Sequence, residues 1–128
     1  MTILIWCLFI TGLLPLVAKG PVAFAMSKLG GYNNNHPRDQ QSKLTGFGAR
    51  ALAAHQNSFE SFIIFAPAIL LAIASNHTGD KIELLAMLHV ALRVVYIIFY
   101  LLNLDKLRTL VWFASTFCSF SIMIQCIP

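Results

Sequence analysis

Three polar side chains, those of Arg50, Asn57 and Glu60, lie in an apolar run that extends to Ser75. At about 100° per residue in a helix, Arg50 and Asn57 point within about 20° of each other, and Glu60 lies about 60° further round. A charged side chain at the centre of a bilayer costs about 2.5 to 3.5 kcal/mol on insertion scales, so an intramembrane carboxylate indicates a functional site and needs a partner. We therefore predict a polar stripe on a membrane-spanning helix, with arginines as the partners of Glu60.

A second polar stripe is predicted in the apolar segment that precedes the last loop. Its four members recur at the i, i+4, i+7 and i+11 spacing of one helix face: His89, Arg93, Tyr96 and Tyr100. Because consecutive spans run in opposite directions, both stripes are expected at a similar depth in the membrane. Arg108 begins the last apolar segment on the same side. Three helices are thus expected to direct polar side chains toward the same depth in the membrane.

Guanidinium groups together with one carboxylate, an amide and phenols favour a particular ligand chemistry. Arginine pairs bidentately with carboxylates, a glutamate receives an ammonium group, and asparagine both donates and accepts hydrogen bonds. A small zwitterion with more than one carboxylate would match this set. An arginine or tyrosine beside a thiol would also favour the thiolate, which is the reactive form of a sulfur nucleophile.

The composition predicts the elements that position these residues. The chain has 128 residues, of which 58% are hydrophobic and 11% charged, and its mean hydropathy is +0.74. A soluble domain of this length could not hide so much apolar surface. Four apolar segments, at about 3–29, 48–75, 82–102 and 107–127, are each long enough to cross a core of about 30 Å. We predict an all-α fold, in which residues 1–128 form a single integral membrane domain, a bundle of four transmembrane helices.

The first segment has an alternative interpretation as a signal peptide, because Ala23-Phe24-Ala25 resembles a small-x-small cleavage site. A secretory signal begins with positive charge, however, and the segment begins with Met1-Thr2 and is long for the apolar part of a signal. We therefore predict an uncleaved first helix that bends near Pro15 and Pro21.

Most of the nine Lys and Arg residues flank the first and third loops, and only Lys81 lies beside the second. The positive-inside rule places those two loops in the cytoplasm and both termini outside it. Topology and contact with anionic lipid then account for the net charge of +4, and no nucleic-acid-binding module is present. The first loop, at about 30–47, is rich in turn formers and amides. It is interpreted either as a cover for a site at the water interface or as a plain connector.

No metal site or disulfide framework is predicted. The three cysteines, Cys7, Cys118 and Cys126, lie in apolar segments at spacings that match neither a zinc site nor a redox pair, so they are interpreted as packing thiols. His55 and His89 have no third ligand at a suitable spacing and are interpreted as hydrogen-bonded helix residues.

The polar residues also have structural interpretations that involve no ligand. Asn57 and Glu60 have an alternative interpretation as an interhelical hydrogen-bonded pair that fixes the packing of the bundle or of a trimer. Tyr96 and Tyr100 would equally belong to the interfacial aromatic belt of a membrane protein.

The sequence motifs match the pattern of one family. Arg50 is followed by Ala54-His55-Gln56-Asn57-Ser58-Phe59-Glu60, the third segment carries Arg93-Val-Val-Tyr96-Ile-Ile-Phe-Tyr100, and Arg108 begins the fourth. With its four-helix layout, nearly the whole chain resembles the membrane-associated proteins in eicosanoid and glutathione metabolism, the MAPEG family. The likeness is to bacterial-type members similar to microsomal glutathione transferases.

The resemblance implies a homotrimer in the bacterial inner membrane that holds glutathione, its co-substrate, near the cytoplasmic side. Several members conjugate the glutathione thiolate to lipophilic electrophiles. By this likeness Arg108 is the catalytic candidate, as the group that stabilises the thiolate. The other implied contacts with glutathione are Asn57 and Glu60, which would hold its polar backbone and amino end, and Arg50, Arg93, Tyr96 and Tyr100.

Two positions depart from the family pattern. Many glutathione-binding members carry a second arginine at the position of Ala53, and some carry a tyrosine at the position of Ser61. The leading hypothesis is a membrane-bound glutathione-dependent transferase or peroxidase. The alternative is a non-catalytic lipid-binding or scaffold member. A small proton-coupled transporter built around Glu60 is disfavoured, because the nearby arginines would repel a cation.

Overall fold

The computed structural model describes residues 1–128 and consists of helices and short connections. The helices are α1 (Thr2–Ser27), α2 (Pro37–Ser42), α3 (Gly46–Ala74), α4 (Asp80–Leu101) and α5 (Asp105–Gln125). All but α2 have the length and hydropathy needed to cross a membrane. The predicted all-α architecture with four transmembrane helices is therefore confirmed.

Helices α4 and α5 begin slightly before the apolar segments that predicted them. Each has an aspartate in its first turn, Asp80 in α4 and Asp105 in α5. Such a carboxylate stabilises a helix N-terminus through the positive end of the helix dipole. Hydropathy does not detect these polar first turns, which explains the difference in the bounds.

Asparagine ends both α3 and α4 in a left-handed conformation, with φ of 59° at Asn76 and 60° at Asn103. After α4, the amide of Asn103 donates to Tyr100 and the amide of Leu104 donates to Phe99, at 3.1 and 2.9 Å. This is the Schellman pattern of a helix C-terminus. It turns the chain tightly, so that α5 returns directly beside the last turn of α4.

Helix α1 packs along α3, where the contact is made by small side chains. Ala51 is completely buried against Val22 and Met26 of α1, and a Cβ on Gly48 would lie only 3.0 Å from that of Ala25, so small residues allow the two backbones to approach closely. Nδ1 of His55 on α3 lies 2.7 Å from the carbonyl oxygen of Pro15 in α1. Pro15 and Pro21 both lie inside a continuous α1. His55 thus ties α3 to the proline-containing part of α1.

The first loop contains the short helix α2, which was not predicted; Pro37 at its first position is the available signal. The side chain of Gln40 is buried and holds the loop against the end of α1. Its Nε2 donates to the carbonyl oxygens of Met26 and Gly31 at 3.2 and 2.7 Å, and its Oε1 accepts from the amide of Asn33 at 2.9 Å. One amide group therefore fixes the loop.

Replacing Gln40 with leucine removes these three hydrogen bonds, which are the side-chain contacts that attach the loop to the end of α1. We expect faster tryptic cleavage at Arg38 and Lys43, with little change in the unfolding temperature, because the transmembrane helices keep their contacts. Gln41→Leu is the matched control, since Gln41 is the next residue on α2 and contributes none of these three hydrogen bonds. Equal cleavage of the two variants would contradict the role given to Gln40.

Candidate functional site

Arg93, Asn57 and Glu60 form a hydrogen-bonded chain between α3 and α4. The side chain of Arg93 is 2% exposed, and its Nη2 donates to Oδ1 of Asn57 at 2.6 Å. Nδ2 of Asn57 donates to Oε2 of Glu60 at 2.9 Å. The amide of Asn57 therefore lies between a guanidinium and a carboxylate and presents the correct group to each.

The prediction that an arginine pairs directly with Glu60 is wrong. The one ion pair within 4.0 Å in the chain joins the Met1 amino group to Glu83. Asn57 lies three residues before Glu60 on α3 and bonds to the carboxylate from the same helix, while Arg93 is buried behind Asn57. Glu60 itself is exposed on the single chain, and its Oε1 makes no hydrogen bond within the chain.

Cation–π and aromatic contacts extend this row of hydrogen-bonded side chains along α4 to α5. The Arg93 guanidinium lies 4.1 Å from the ring centroid of Tyr96, whose ring meets that of Tyr100 edge to face at 5.7 Å. The guanidinium of Arg108 lies 4.1 Å from the Tyr100 ring. Such stacking suits the planar guanidinium group. We call the connected residues the polar row: Glu60, Asn57, Arg93, Tyr96, Tyr100 and Arg108.

The polar row contains all the predicted site residues except Arg50. Arg50 is half-buried two turns earlier on α3 than Asn57, about 10 Å along the helix axis. Its Nε and the Nη1 of Arg93 are buried with no hydrogen-bond partner in the chain. Buried N–H groups in proteins are nearly always paired. Each of the two arginines nevertheless keeps one buried N–H group unpaired within the chain.

Arg108, Tyr96 and Tyr100 also line a cleft of about 350 Å³. The remaining lining is mainly aromatic and includes Trp112 and Phe113 on α5, of which Phe113 is 62% exposed. The cleft therefore has a cationic end beside Arg108 and an apolar end at the outer surface of α5. This arrangement would place an apolar molecule from the membrane next to a guanidinium group.

The burial of Tyr96, 5% exposed, excludes it from an interfacial aromatic belt. Tyr100 is half-buried between Tyr96 and Arg108. Both tyrosines thus face the site, and the alternative interpretation of Tyr96 as a belt residue is wrong.

Sequence reasoning placed His89 on the second stripe but did not find its partners. The ring is 1% exposed and has hydrogen-bonding contacts with serines on two other helices. Ser115 and Ser119 on α5 are among them, and their spacing of one helical turn in an apolar segment is the signal that could have indicated an interhelical contact.

The fold and the polar row define a multi-pass helical membrane protein with one polar site built by α3, α4 and α5. The model of the MAPEG family matches residues 3–128, essentially the whole sequence. The chain belongs to the MAPEG family. No curated protein and no solved structure is similar enough to count as a match.

Proposed function

We propose that the protein is a membrane-bound, glutathione-dependent transferase or peroxidase that acts on lipophilic electrophiles. The family includes glutathione transferases and related members, which supports this class. The observation that carries the proposal is the polar row, which connects a free carboxylate oxygen on Glu60 to the guanidinium of Arg108 through continuous side-chain contacts.

The charges of the site complement those of glutathione, which has one ammonium group, two carboxylates and a thiol. In the proposed complex the free Oε1 of Glu60 accepts from the ammonium group. The guanidinium groups of Arg50 and Arg93 donate to the carboxylates. Tyr96 and Tyr100 contact the backbone of the tripeptide, and its thiol extends toward Arg108.

The proposed reaction takes place in the cleft beside Arg108. The guanidinium stabilises the thiolate, and the thiol proton passes to solvent. The thiolate sulfur then attacks an electrophilic carbon of the apolar molecule, a carbon–sulfur bond forms, and the leaving group departs with its electron pair. The aromatic side of the cleft, with Trp112 and Phe113, receives the apolar molecule from the lipid.

The proposed topology places both termini outside the cytoplasm of a bacterial inner membrane. The polar row approaches the end of the bundle at which α4 joins α5, where the basic residues are concentrated. A homotrimer is proposed from family membership and from the exposed face of α3, which carries Glu60, Phe59 and Ile63. A second copy on this face would remove a carboxylate from contact with lipid.

Calorimetric titration of glutathione into the detergent-purified protein tests the ligand. We expect saturable binding that is lost in Glu60→Gln and in Asn57→Ala, since one loses the charge that meets the ammonium group and the other the link to Arg93. Glu83→Gln is the control, because this residue lies on α4 near the opposite end of the bundle. Absence of binding by well-folded wild-type protein would refute the proposal.

A non-catalytic lipid-binding or scaffold role is the second candidate, and the alanine at position 53 favours it. An arginine at this position would supply a further carboxylate contact. Assay of conjugation between glutathione and a lipophilic electrophile separates the candidates. Turnover above a heat-inactivated control removes the non-catalytic role, and binding without turnover supports it.

A further inference from the structure

Two polar contacts, one helical turn apart, join α3 to α4. Arg93 donates to Oδ1 of Asn57 at 2.6 Å, and Nε2 of His89 lies 3.4 Å from Oγ of Ser61. From the first contact to the second, α3 advances by one turn while α4 goes back by one turn, as expected for antiparallel neighbours. The contact between His89 and Ser61 thus lies one helical turn further than the Arg93–Asn57 contact from the end of the bundle at which α4 joins α5.

The other ring nitrogen of His89 contacts α5. Nδ1 lies 2.8 Å from the carbonyl oxygen of Ser115 and 3.1 Å from Oγ of Ser119. Because a carbonyl oxygen only accepts, Nδ1 carries the hydrogen of this bond. The ring also stacks on Phe65 of α3, with centroids 4.0 Å apart and planes 3° from parallel. One buried imidazole therefore contacts three helices.

We propose that His89 is a positioning residue that sets the rotation of α3, α4 and α5 for the polar row. On α4, Arg93 lies one turn from His89 on the same face. On α5, Arg108 and Ser115 point within about 20° of each other, so the bond from His89 to Ser115 fixes the direction in which Arg108 leaves the helix. Correct rotation brings Arg93 to Asn57 and Arg108 over Tyr100.

A double-mutant cycle tests the positioning without any ligand. Asn57→Ala is measured by thermal unfolding in detergent in three backgrounds: wild type, His89→Leu and His89→Asn. Asparagine retains a donor close to the position of Nδ1, whereas leucine has none. We expect Asn57→Ala to lower the unfolding temperature in wild type and in His89→Asn, and the shift to disappear in His89→Leu, because Arg93 no longer reaches Asn57.

A residue that serves packing alone would give additive effects. An equal Asn57→Ala shift in all three backgrounds would therefore overturn the proposal. If His89→Leu does not fold, His89→Gln replaces it, because its longer amide reaches toward Ser61 and leaves the Nδ1 position empty. The same loss of the Asn57→Ala shift is then expected.

The effect on glutathione rests on the proposed function, and the same variants measure it. We expect the dissociation constant to rise about tenfold or more in His89→Leu and to recover in His89→Asn. A wild-type protein that binds no glutathione but shows the expected cycle would refute the proposed function and retain the positioning role. Glutathione binding that is unchanged in His89→Leu, with a constant Asn57→Ala shift, would refute the positioning role alone.

Discussion

Replacing Arg108 with leucine is expected to lower the turnover number of glutathione conjugation by about 10²- to 10³-fold, the range typical for loss of one group that stabilises developing or fixed negative charge. The guanidinium lies over Tyr100 at the cationic end of the cleft, where the proposed thiolate forms. Steady-state kinetics with a chlorodinitrobenzene as electrophile measure the effect. The Michaelis constant for glutathione should change much less, because other residues hold the tripeptide.

The sign of the pH dependence provides a second check on Arg108. Without the guanidinium a smaller fraction of the bound thiol is ionised at neutral pH, so raising the pH should recover part of the lost rate. Arg108→Lys keeps a positive charge and should retain more activity than Arg108→Leu. Lys106→Leu is the control for a lost charge in the same turn, since Lys106 is exposed. Equal turnover in Arg108→Leu and wild type would exclude the catalytic role.

Removing the side-chain amide of Asn57 is expected to cost about 1.5 to 3 kcal/mol of stability, because it breaks a hydrogen bond to a buried charged group. The 2.6 Å bond is the shorter of the two that Arg93 makes to Asn57. Adding Arg93→Met to Asn57→Ala removes the buried charge, so the double variant should be more stable than Asn57→Ala alone. Thermal unfolding in detergent measures the stability of the single variant and of the double variant.

Glutathione titration shows whether this gain in stability is separate from function. Neither Asn57→Ala nor the double variant should bind glutathione. The proposed contact of Arg93 with a carboxylate is misplaced in the first and lost in the second. A double variant that is less stable than either single variant would show that Arg93 contributes through packing and not through its paired charge. Arg38→Met, at an exposed position of α2, is the control for the substitution itself.

The long helices follow directly from the amino-acid sequence. In lipid the backbone must satisfy its own hydrogen bonds, so an apolar stretch of about 20 residues has essentially one stable conformation. Helical periodicity also predicted that Asn57 and Glu60, and likewise Arg93 and Tyr96, share a face, because neighbours on a helix are determined by spacing alone. Family membership was predicted from the same motifs and is confirmed over residues 3–128.

Contacts between helices depended on the rotation of each helix about its own axis and on its depth in the bilayer. The spacing of residues within one helix determines neither of these. The sequence indicated that Glu60 needs a partner, but only the packing of α3 against α4 showed that Asn57 bonds to the carboxylate and Arg93 to the amide. The buried loop contact of Gln40 was likewise decided by the approach of residues distant in sequence.

Each span by itself thus specified a helix and its polar face, because local backbone geometry and the lipid environment leave little choice. The pairing of those faces, and with it the polar row and the contacts of His89 with α3 and α5, was decided only by the tertiary structure. Side chains from three helices can meet there in several ways that are equally compatible with the periodicity, and close packing selects one of them.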